Sequence, residues 1–401
     1  MEQLATAYAY YRGGTSKAVL VKRSDLPPIR SDSDLNAWVL AVMGSPDRRQ
    51  IDGVGGADPL TSKFAIVGPP TRPDADVDYT FLQVVPDRAT VTQDINCGNI
   101  AAAIGPFAID EGIVAPRAPI TSVRIHATNM GQIIHADVEV DETGKARVLG
   151  SQRIDGVPGT GAPVRLDFRE LVGGATGRLL PTGRIRDRLV VDGKEIQVSI
   201  VDLANLVCYV RAEALGMAGT EDPLAMQANR ELMQLCERVR LEAALLAGVA
   251  KNIESATRQP PSAPWLALVS APLPWRDHAT REQHEAHECD IGARLYARGG
   301  NVHKAYPGTG SACLGVAAML EGSVAHELVS ADAHASGTVR IGHPCGVIDI
   351  AAMIENQDGA DPLVRRAAFI RTARRIADGQ VYTAMDRLPW LPEPMLRDEP
   401  A

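Results

Sequence analysis

The sequence predicts an α+β protein of two pseudo-symmetric halves, each a mixed β-sheet or barrel wrapped around one central buried helix. The first sign is the run from Ile100 to Ile109. Ile100, Ala101, Ala102, Ala103, Ile104, Phe107, Ala108 and Ile109 leave no polar face, so a helix there is buried on all sides. The second sign is an internal repeat. Ala18-Val19-Leu20-Val21-Lys22-Arg23-Ser24-Asp25-Leu26 lines up with Val207-Cys208-Tyr209-Val210-Arg211-Ala212-Glu213-Ala214-Leu215. In the same order, Thr61 to Val67 lines up with Ala263 to Val269, Cys97-Gly98-Asn99 with Pro307-Gly308-Thr309, and Asp110-Glu111-Gly112 with Leu320-Glu321-Gly322. Two like halves, with both helix N-termini facing a shared cleft, is the architecture this implies.

From the N-terminus, Ala7 to Tyr11 reads as a strand, Arg12 to Ser16 as a tight turn, and Lys17 to Lys22 as a second strand. Ser31 or Ser33 caps a helix through Leu35, Trp38, Val39 and Val42 that stops at Gly44. A glycine-rich loop, Asp52 to Ala57, leads to Thr61-Ser62-Lys63 and the strand Phe64 to Val67. The loop lacks P-loop spacing and does not run from strand to helix, which argues against a nucleotide. Tyr79 to Val85, Ala89 to Thr92, Ser122 to Ala127 and Ile133 to Val140 are further strands. Gly174 to Arg184 is turn-rich, so the domains are drawn as 1–184 and 185–385, with a loosely ordered, proline-rich tail over 386–401. In the second half, a helix is expected from Thr220 through Leu224 to Leu246.

Composition sets outer limits. The chain has 401 residues, 45% of them hydrophobic, and a net charge of −8, giving no electrostatic case for nucleic acid or an anionic membrane. Neither a signal peptide nor an apolar run long enough to span a bilayer is expected. Cysteines 97, 208, 236, 289, 313 and 345 are scattered without regular spacing, as suits reduced thiols in a cytoplasm.

Chemistry concentrates around two side chains. Asn96, Gly98 and Asn99 are helix-start residues that aim backbone N–H groups outward. Such a site attracts carboxylates and favours a thiolate, and Cys97 stands on it. A two-thiol racemase would need a cysteine opposite, but the repeat puts Pro307 there and Cys313 inside the helix. That leaves lysine. Lys63 begins an apolar strand after the glycine-rich loop, where partial burial makes an amine a usable general base. Lys17 is a weaker candidate. So is Lys304, in Val302-His303-Lys304-Ala305-Tyr306 just ahead of the second helix, and a catalytic role for it stays open.

Longer motifs then carry a resemblance. Arg12-Gly13-Gly14-Thr15-Ser16-Lys17, Met43-Gly44-Ser45-Pro46-Asp47, Gly55-Gly56-Ala57-Asp58-Pro59-Leu60-Thr61-Ser62-Lys63, Asn96-Cys97-Gly98-Asn99-Ile100 and Gly105-Pro106-Phe107-Ala108-Ile109 resemble the 4-oxalomesaconate tautomerase and 2-methylaconitate cis–trans isomerase family. Ile154 to Pro163, Leu179 to Gly183 and Arg340 to Pro344 extend the match to most of the chain. The resemblance implies the diaminopimelate-epimerase-like fold and a cofactor-independent isomerase. It implies Lys63 as the group that takes or returns the proton, and Cys97 as acid or substrate contact. Ser16, Gly98, Asn99, Asn205, Gly308, Thr309, Gly310 and His343 would hold the carboxylates of a small anionic polycarboxylate. The sequence departs from the family pattern at Leu206 after Asn205, at Cys345 after His343-Pro344, at Thr128-Asn129-Met130-Gly131, and at Trp265, where a lysine is frequent.

Two other clusters gather ligand-type or charged side chains. His278, His284, His287 and Cys289 fit no standard zinc framework, and their acidic neighbours read as a solvated helical segment; no metal is expected. Asp361, Pro362 and the apolar stripe Leu363, Val364, Ala367, Ile370, Ala373 and Ile376 read as another helix. Its opposite face would carry Arg365, Arg366, Arg371, Arg374 and Arg375, solvated or at an oligomer contact; a homodimer is left open. The expected function is 4-oxalomesaconate-type tautomerisation, with cis–trans isomerisation of an aconitate-like acid as the alternative. A non-catalytic carboxylate-binding paralogue is the reading from another class.

Overall fold

A computed structural model describes residues 2–93, 97–258, 264–297, 301–357 and 361–391. The chain divides into two units, one of Met1–Val164 with Arg371–Ala401 and one of Arg165–Ile370.

The first unit opens with β1 (Gln3–Gly13) and β2 (Ser16–Lys22), followed by α1 (Asp32–Met43), β3 (Lys63–Gly68), β4 (Val77–Val84) and β5 (Val91–Thr92). Next come α2 (Gly98–Asp110), β6 (Ile120–Ala127), β7 (Gln132–Glu139) and the small pair β8 (Gln152–Arg153) and β9 (Thr160–Gly161). Ser31 caps α1 by accepting from the Asp34 N–H at 3.2 Å, and Gly44 ends it in the left-handed region. β1 pairs antiparallel with β2, β2 runs parallel to β3, β3 is antiparallel to β4, β4 is parallel to β6, and β6 is antiparallel to β7.

Both faces of this sheet are covered, so β3 is buried along its whole length. Val19, Val21, Phe64, Ile66, Leu82 and Val84 pack with Trp38, Val39 and Val42 of α1. The alternate residues turn to the other face, where α2 lies against β1, β2, β4, β6 and β7. Side-chain alternation therefore puts Ser16, Lys63, Phe81 and Gln83 on the helix α2 side. Helix α2 is buried from Gly98 to Ile109 except at Asn99.

The second unit takes over within β10 (Pro163–Asp167) and continues through β11 (Asp187–Val191), β12 (Lys194–Leu203), β13 (Asn205–Arg211), α3 (Pro223–Ala228), α4 (Arg230–Leu246) and α5 (Ile253–Arg258). It then contains β14 (Trp265–Ser270), β15 (Trp275–Arg276), β16 (Gln283–His284), β17 (Ile291–Ala297), β18 (Asn301–Val302), α6 (Gly308–Met319), α7 (Ala331–Ser336), β19 (Thr338–His343), β20 (Gly346–Glu355) and the start of β21 (Leu363–Ala384), whose residues from Arg371 on belong to the first unit. Its pairings reproduce those of the first unit. β13 is parallel to β14, β14 antiparallel to β17, β17 parallel to β19, and β19 antiparallel to β20. The residues match as well. Ala18 faces Lys63 across β2 and β3, and Val207 faces Trp265 across β13 and β14. Cys97 and Pro307 each precede the first residue of a buried helix. The repeat read from the sequence is a repeat of structure.

Several local expectations differ from what is observed. Residues 361–376 form no helix but most of β21, because cross-strand bonding to β20 and β1 overrides the helical pattern of alanine, leucine and arginine. The helix expected over 220–246 is broken: Asp222 caps α3, which opens on Pro223, and Asn229 caps α4 through the Leu232 N–H. Residues 276–290 are a hairpin and a short 3-10 turn, in which His278 meets Asp222 and His284 meets Glu288, each at 2.8 Å. Residues 165–184 belong to the second unit, not to a first domain ending at 184. Backbone bonds from Phe168 to Ala367, Gly173 to Asp202 and Ala204 to Leu171 hold them there. Within the expected loose tail, Leu388 and Leu391 are buried against the α1 cluster, and Trp390 donates to the Pro28 carbonyl; 392–401 and Asn96 lie outside the described residues. Among the described residues no helix is long and apolar enough to cross a membrane.

Candidate active site

The start of α2 is built by three chain segments. Cys97, a half-buried free thiol with extended backbone, precedes the helix, and its carbonyl accepts from the Ala101 N–H at 2.9 Å. The next N–H groups have no partner within the helix. Asn99 donates through Nδ2 to Thr15 Oγ1 at 3.0 Å and Ser16 Oγ at 3.4 Å. Its Oδ1 accepts from Arg371 Nε at 3.0 Å. The turn joining β1 to β2 presses on this residue. A Cβ added to Gly13 would lie 2.2 Å from the Asn99 carbonyl oxygen, and one on Gly14, at φ +48°, 2.2 Å from Asn99 Oδ1. Glycine is required there by contact and, at Gly14, also by backbone conformation.

The sequence hides the place of Arg371, because its segment has the pattern of a helix with a solvated arginine face. It is 8% exposed. Burial lowers its guanidinium to about 10, opposed by the Cys97 thiol and the Asp155 carboxylate. It is therefore cationic at neutral pH, beside the anion-attracting end of α2. The signal that could have found it was weak: it lies between Phe369 and Ala373, which share its strand face and are also buried.

Lys63 starts β3 and is 7% exposed. Its Nζ donates to Gln83 Oε1 at 2.5 Å and lies 5.3 Å from the centre of the Phe81 ring. No carboxylate pairs with it among the described residues. Gln83 is itself held: its Nε2 reaches the carbonyls of Pro59, Val84 and Ser62 at 3.0, 3.2 and 3.3 Å. The glycine-rich loop ahead of β3 folds around a different amide. Gln50 Oε1 accepts from the Ala57 N–H at 2.8 Å and from Ser62 Oγ at 2.7 Å. A Cβ on Gly55 would strike the Gln50 side chain, and one on Gly53 the Gly44 backbone. These glycines serve packing that fixes the start of β3.

In the second unit, Gly308, Thr309 and Gly310 form the buried first turn of α6. Alternation puts Trp265 on the α6 side of β14, since Leu266 and Leu268 pack with α4. A Cβ on Gly310 would meet the Tyr306 ring at 3.2 Å and the Trp265 ring at 3.5 Å. Asn205 Nδ2 and the Tyr306 hydroxyl are buried with no hydrogen-bond partner among the described residues. Such groups are costly unless a ligand or water meets them. His343 is buried, its Nδ1 accepting from the Cys345 N–H at 3.2 Å. Lys304 is exposed, and its carbonyl accepts from Cys345 Sγ at 2.9 Å. Cys313 is a core residue whose thiol is pushed by burial to about 12. The structure thus joins Ser16, Asn99 and Arg371 directly, and sets Lys63 on the same sheet face as Ser16.

Family comparison bears on this arrangement over nearly the whole chain. The family described as PrpF protein matches residues 3–384. The chain belongs to that family. Among its PrpF relatives, the 3-methylitaconate isomerase of Eubacterium barkeri is 44% identical, over 96% of this chain and 99% of its own. The (4E)-oxalomesaconate Delta-isomerase of Novosphingobium sp. (strain KA1) is 39% identical over 93% of this chain and 96% of its own. The 2-methyl-aconitate isomerase of Cupriavidus necator is 33% identical over 96% and 98%. A crystal structure of a methylitaconate-delta-isomerase superposes with a TM-score of 0.84 at 43% identity, covering 97% of this chain and 98% of that one. A hydroxyproline epimerase from Agrobacterium vitis shares the fold at 12% identity, with a TM-score of 0.52 and 95% and 93% coverage. The resemblance read from the motifs holds, and so does the epimerase-like fold. These PrpF relatives are isomerases of small unsaturated carboxylic acids, the enzyme class expected from the sequence.

Proposed function

We propose that this PrpF-family chain is a cofactor-independent isomerase that moves a proton between two carbons of a small unsaturated di- or tricarboxylate, with Lys63 as the base. The observation that carries the reading is the environment of Lys63: a buried amine on the helix-facing side of β3 whose hydrogen-bond partner is a neutral amide. No ion pair commits its charge among the described residues.

A proton on a carbon conjugated through a double bond to a carboxylate becomes acidic when the charge left behind spreads into a dienolate. Lys63 in its neutral form takes that proton. The electron pair of the broken C–H bond enters the conjugated system, and the negative charge gathers on carboxylate oxygen. Oriented N–H groups at the start of α2, with Asn99 and Ser16, stabilise it. Arg371 adds a fixed positive charge nearby. Return of the proton from the lysine to the other end of the system shifts the double bond. Return to the original carbon after rotation gives cis–trans exchange instead. Cys97 acts as a contact or as the acid at the second carbon. Within the second unit, Gly308, Thr309, Gly310, Asn205 and His343 serve to hold a carboxylate, a role supported by the buried Asn205 Nδ2, which has no hydrogen-bond partner among the described residues. Six free cysteines are in keeping with a cytoplasmic setting.

The test is proton NMR in deuterated water with 3-methylitaconate, 2-methylaconitate and 4-oxalomesaconate as separate probes. Deuterium should enter at least one acid while a new alkene signal grows, and Lys63→Ala should abolish both. Binding without exchange in all three would make the chain a carboxylate-binding paralogue. A substrate isomerised as fast by Lys63→Ala would remove the lysine from the mechanism.

A further inference from the structure

We propose that Gln83 is the positioning residue for the Lys63 amine. The proposal rests on the reading of Lys63 as the base and adds how that base is aimed.

The two residues are direct cross-strand partners in the β3–β4 ladder, and their side chains lie on the same sheet face. What makes Gln83 more than a neighbour is that its amide cannot turn round. Nε2 points at three carbonyl oxygens, those of Pro59, Ser62 and Val84, within 3.3 Å. Reversing the amide would set Oε1 against those oxygens, a repulsive arrangement. The oxygen is thus obliged to face the lysine, which it meets at 2.5 Å. A long, flexible chain is held at its tip by a rigid acceptor, with the Phe81 ring beneath it.

The acceptor is also neutral, and that matters for a group that must both take and release a proton. An amide oxygen orients the amine in either protonation state, accepting from –NH3+ and –NH2 alike. A carboxylate in its place would hold the proton on the lysine. Charged groups on the surrounding elements are engaged elsewhere. Lys17 lies over the Tyr10 ring, Lys22 pairs with Asp25 and Glu111, Asp78 pairs with Arg23 and His126, and Arg371 bonds to Asn99 beside the Cys97 thiol. The glycine-rich loop gains a role through the same contact, since it leads into Pro59, whose carbonyl helps to lock the amide.

Three variants and one measurement on the unaltered protein test this. In the deuterium-exchange assay with the three acids above, Gln83→Met should lower kcat about tenfold or more with KM changed less than about twofold, as expected when a reacting group is disoriented. Gln83→Glu should move the pH limb on which the base ionises upward by about one unit or more, recovering rate at high pH. Lys63→Met separates the two readings. If it is inactive while both Gln83 variants keep the native kcat and pH limb, the positioning role is overturned and the base stands. If it retains activity, both go. Should a Gln83 variant fail to fold, 15N NMR of the lysine side chains in the unaltered protein decides. One Nζ–H signal should be protected from solvent exchange and vanish in Lys63→Met, and absence of such a signal overturns the proposal.

Discussion

Lys63 and Trp265 occupy the same register position in the two units, each the first residue of a strand that runs parallel to its predecessor, and each lies by alternation on the sheet face that a buried helix covers. One unit carries an amine there and the other an indole, so equivalent backbones carry different side-chain functions. The ring adds no titratable group, and it covers the first turn of α6 at Gly310. Trp265→Ala should therefore keep proton exchange within about tenfold of the native rate while admitting a bulkier acid, read as a fall in KM for the largest probe that turns over. Loss of exchange comparable to that in Lys63→Ala would instead make the ring part of the chemistry.

Gly14 tests the frame around Asn99. Alanine there must adopt a positive φ and place its Cβ 2.2 Å from Asn99 Oδ1. Strain of this kind costs about 1–3 kcal/mol, and the turn must shift away from the helix to relieve it. Gly14→Ala should lower the denaturation midpoint in urea at unchanged slope and weaken substrate binding as well. Unchanged stability and KM would mean that the turn yields freely.

How far the sequence reaches is clear at these sites. The capped helix α1, the buried helix α2 and the paired halves follow from local signals: Ser31 and Gly44 at the ends of one helix, a run without a polar face in the other, and matched apolar strands. Lys63 and Cys97 were visible as chemistry out of place in apolar surroundings. What stayed hidden depends on contacts between distant segments. Nothing local marks Gln83 as the partner of a lysine 20 residues away, since that pairing exists only once β3 and β4 form a ladder. Arg371 meets Asn99 across 272 residues, and its strand carries a helix-like pattern that pairing with β1 and β20 overrules.

Arg371 yields the next prediction. With its guanidinium lowered only to about 10 by burial, it keeps its charge through the neutral range, next to Asn99 and the Cys97 thiol. Removing it takes away a positive charge and leaves Asn99 Oδ1 without that donor. Arg371→Met should raise KM for a dicarboxylate about tenfold or more and slow alkylation of Cys97 by iodoacetamide. Arg371→Lys should restore little, because a point charge on a flexible stem does not reproduce the fixed guanidinium geometry. Native KM and native alkylation in both variants would confine Arg371 to a structural role.

Acid should act on the second unit through a pair of histidines. His326 and His334 stack with ring centres 4.0 Å apart, and His334 Nε2 is buried without a hydrogen-bond partner among the described residues. Burial, and then repulsion from His326, lower His334 below the usual imidazole range. The folded form therefore holds the ring neutral at a pH where the unfolded chain has begun to bind a proton. Stability is undiminished above the unfolded value near 6.5 and falls as pH drops through it, because the unfolded state then binds more protons. The loss stops growing once the folded ring protonates too. Urea titrations from pH 7.5 to 5 should show this decline, and His334→Gln should flatten it by removing one titrating group. If the variant falls as steeply as the native protein, the acid sensitivity belongs to groups other than His334.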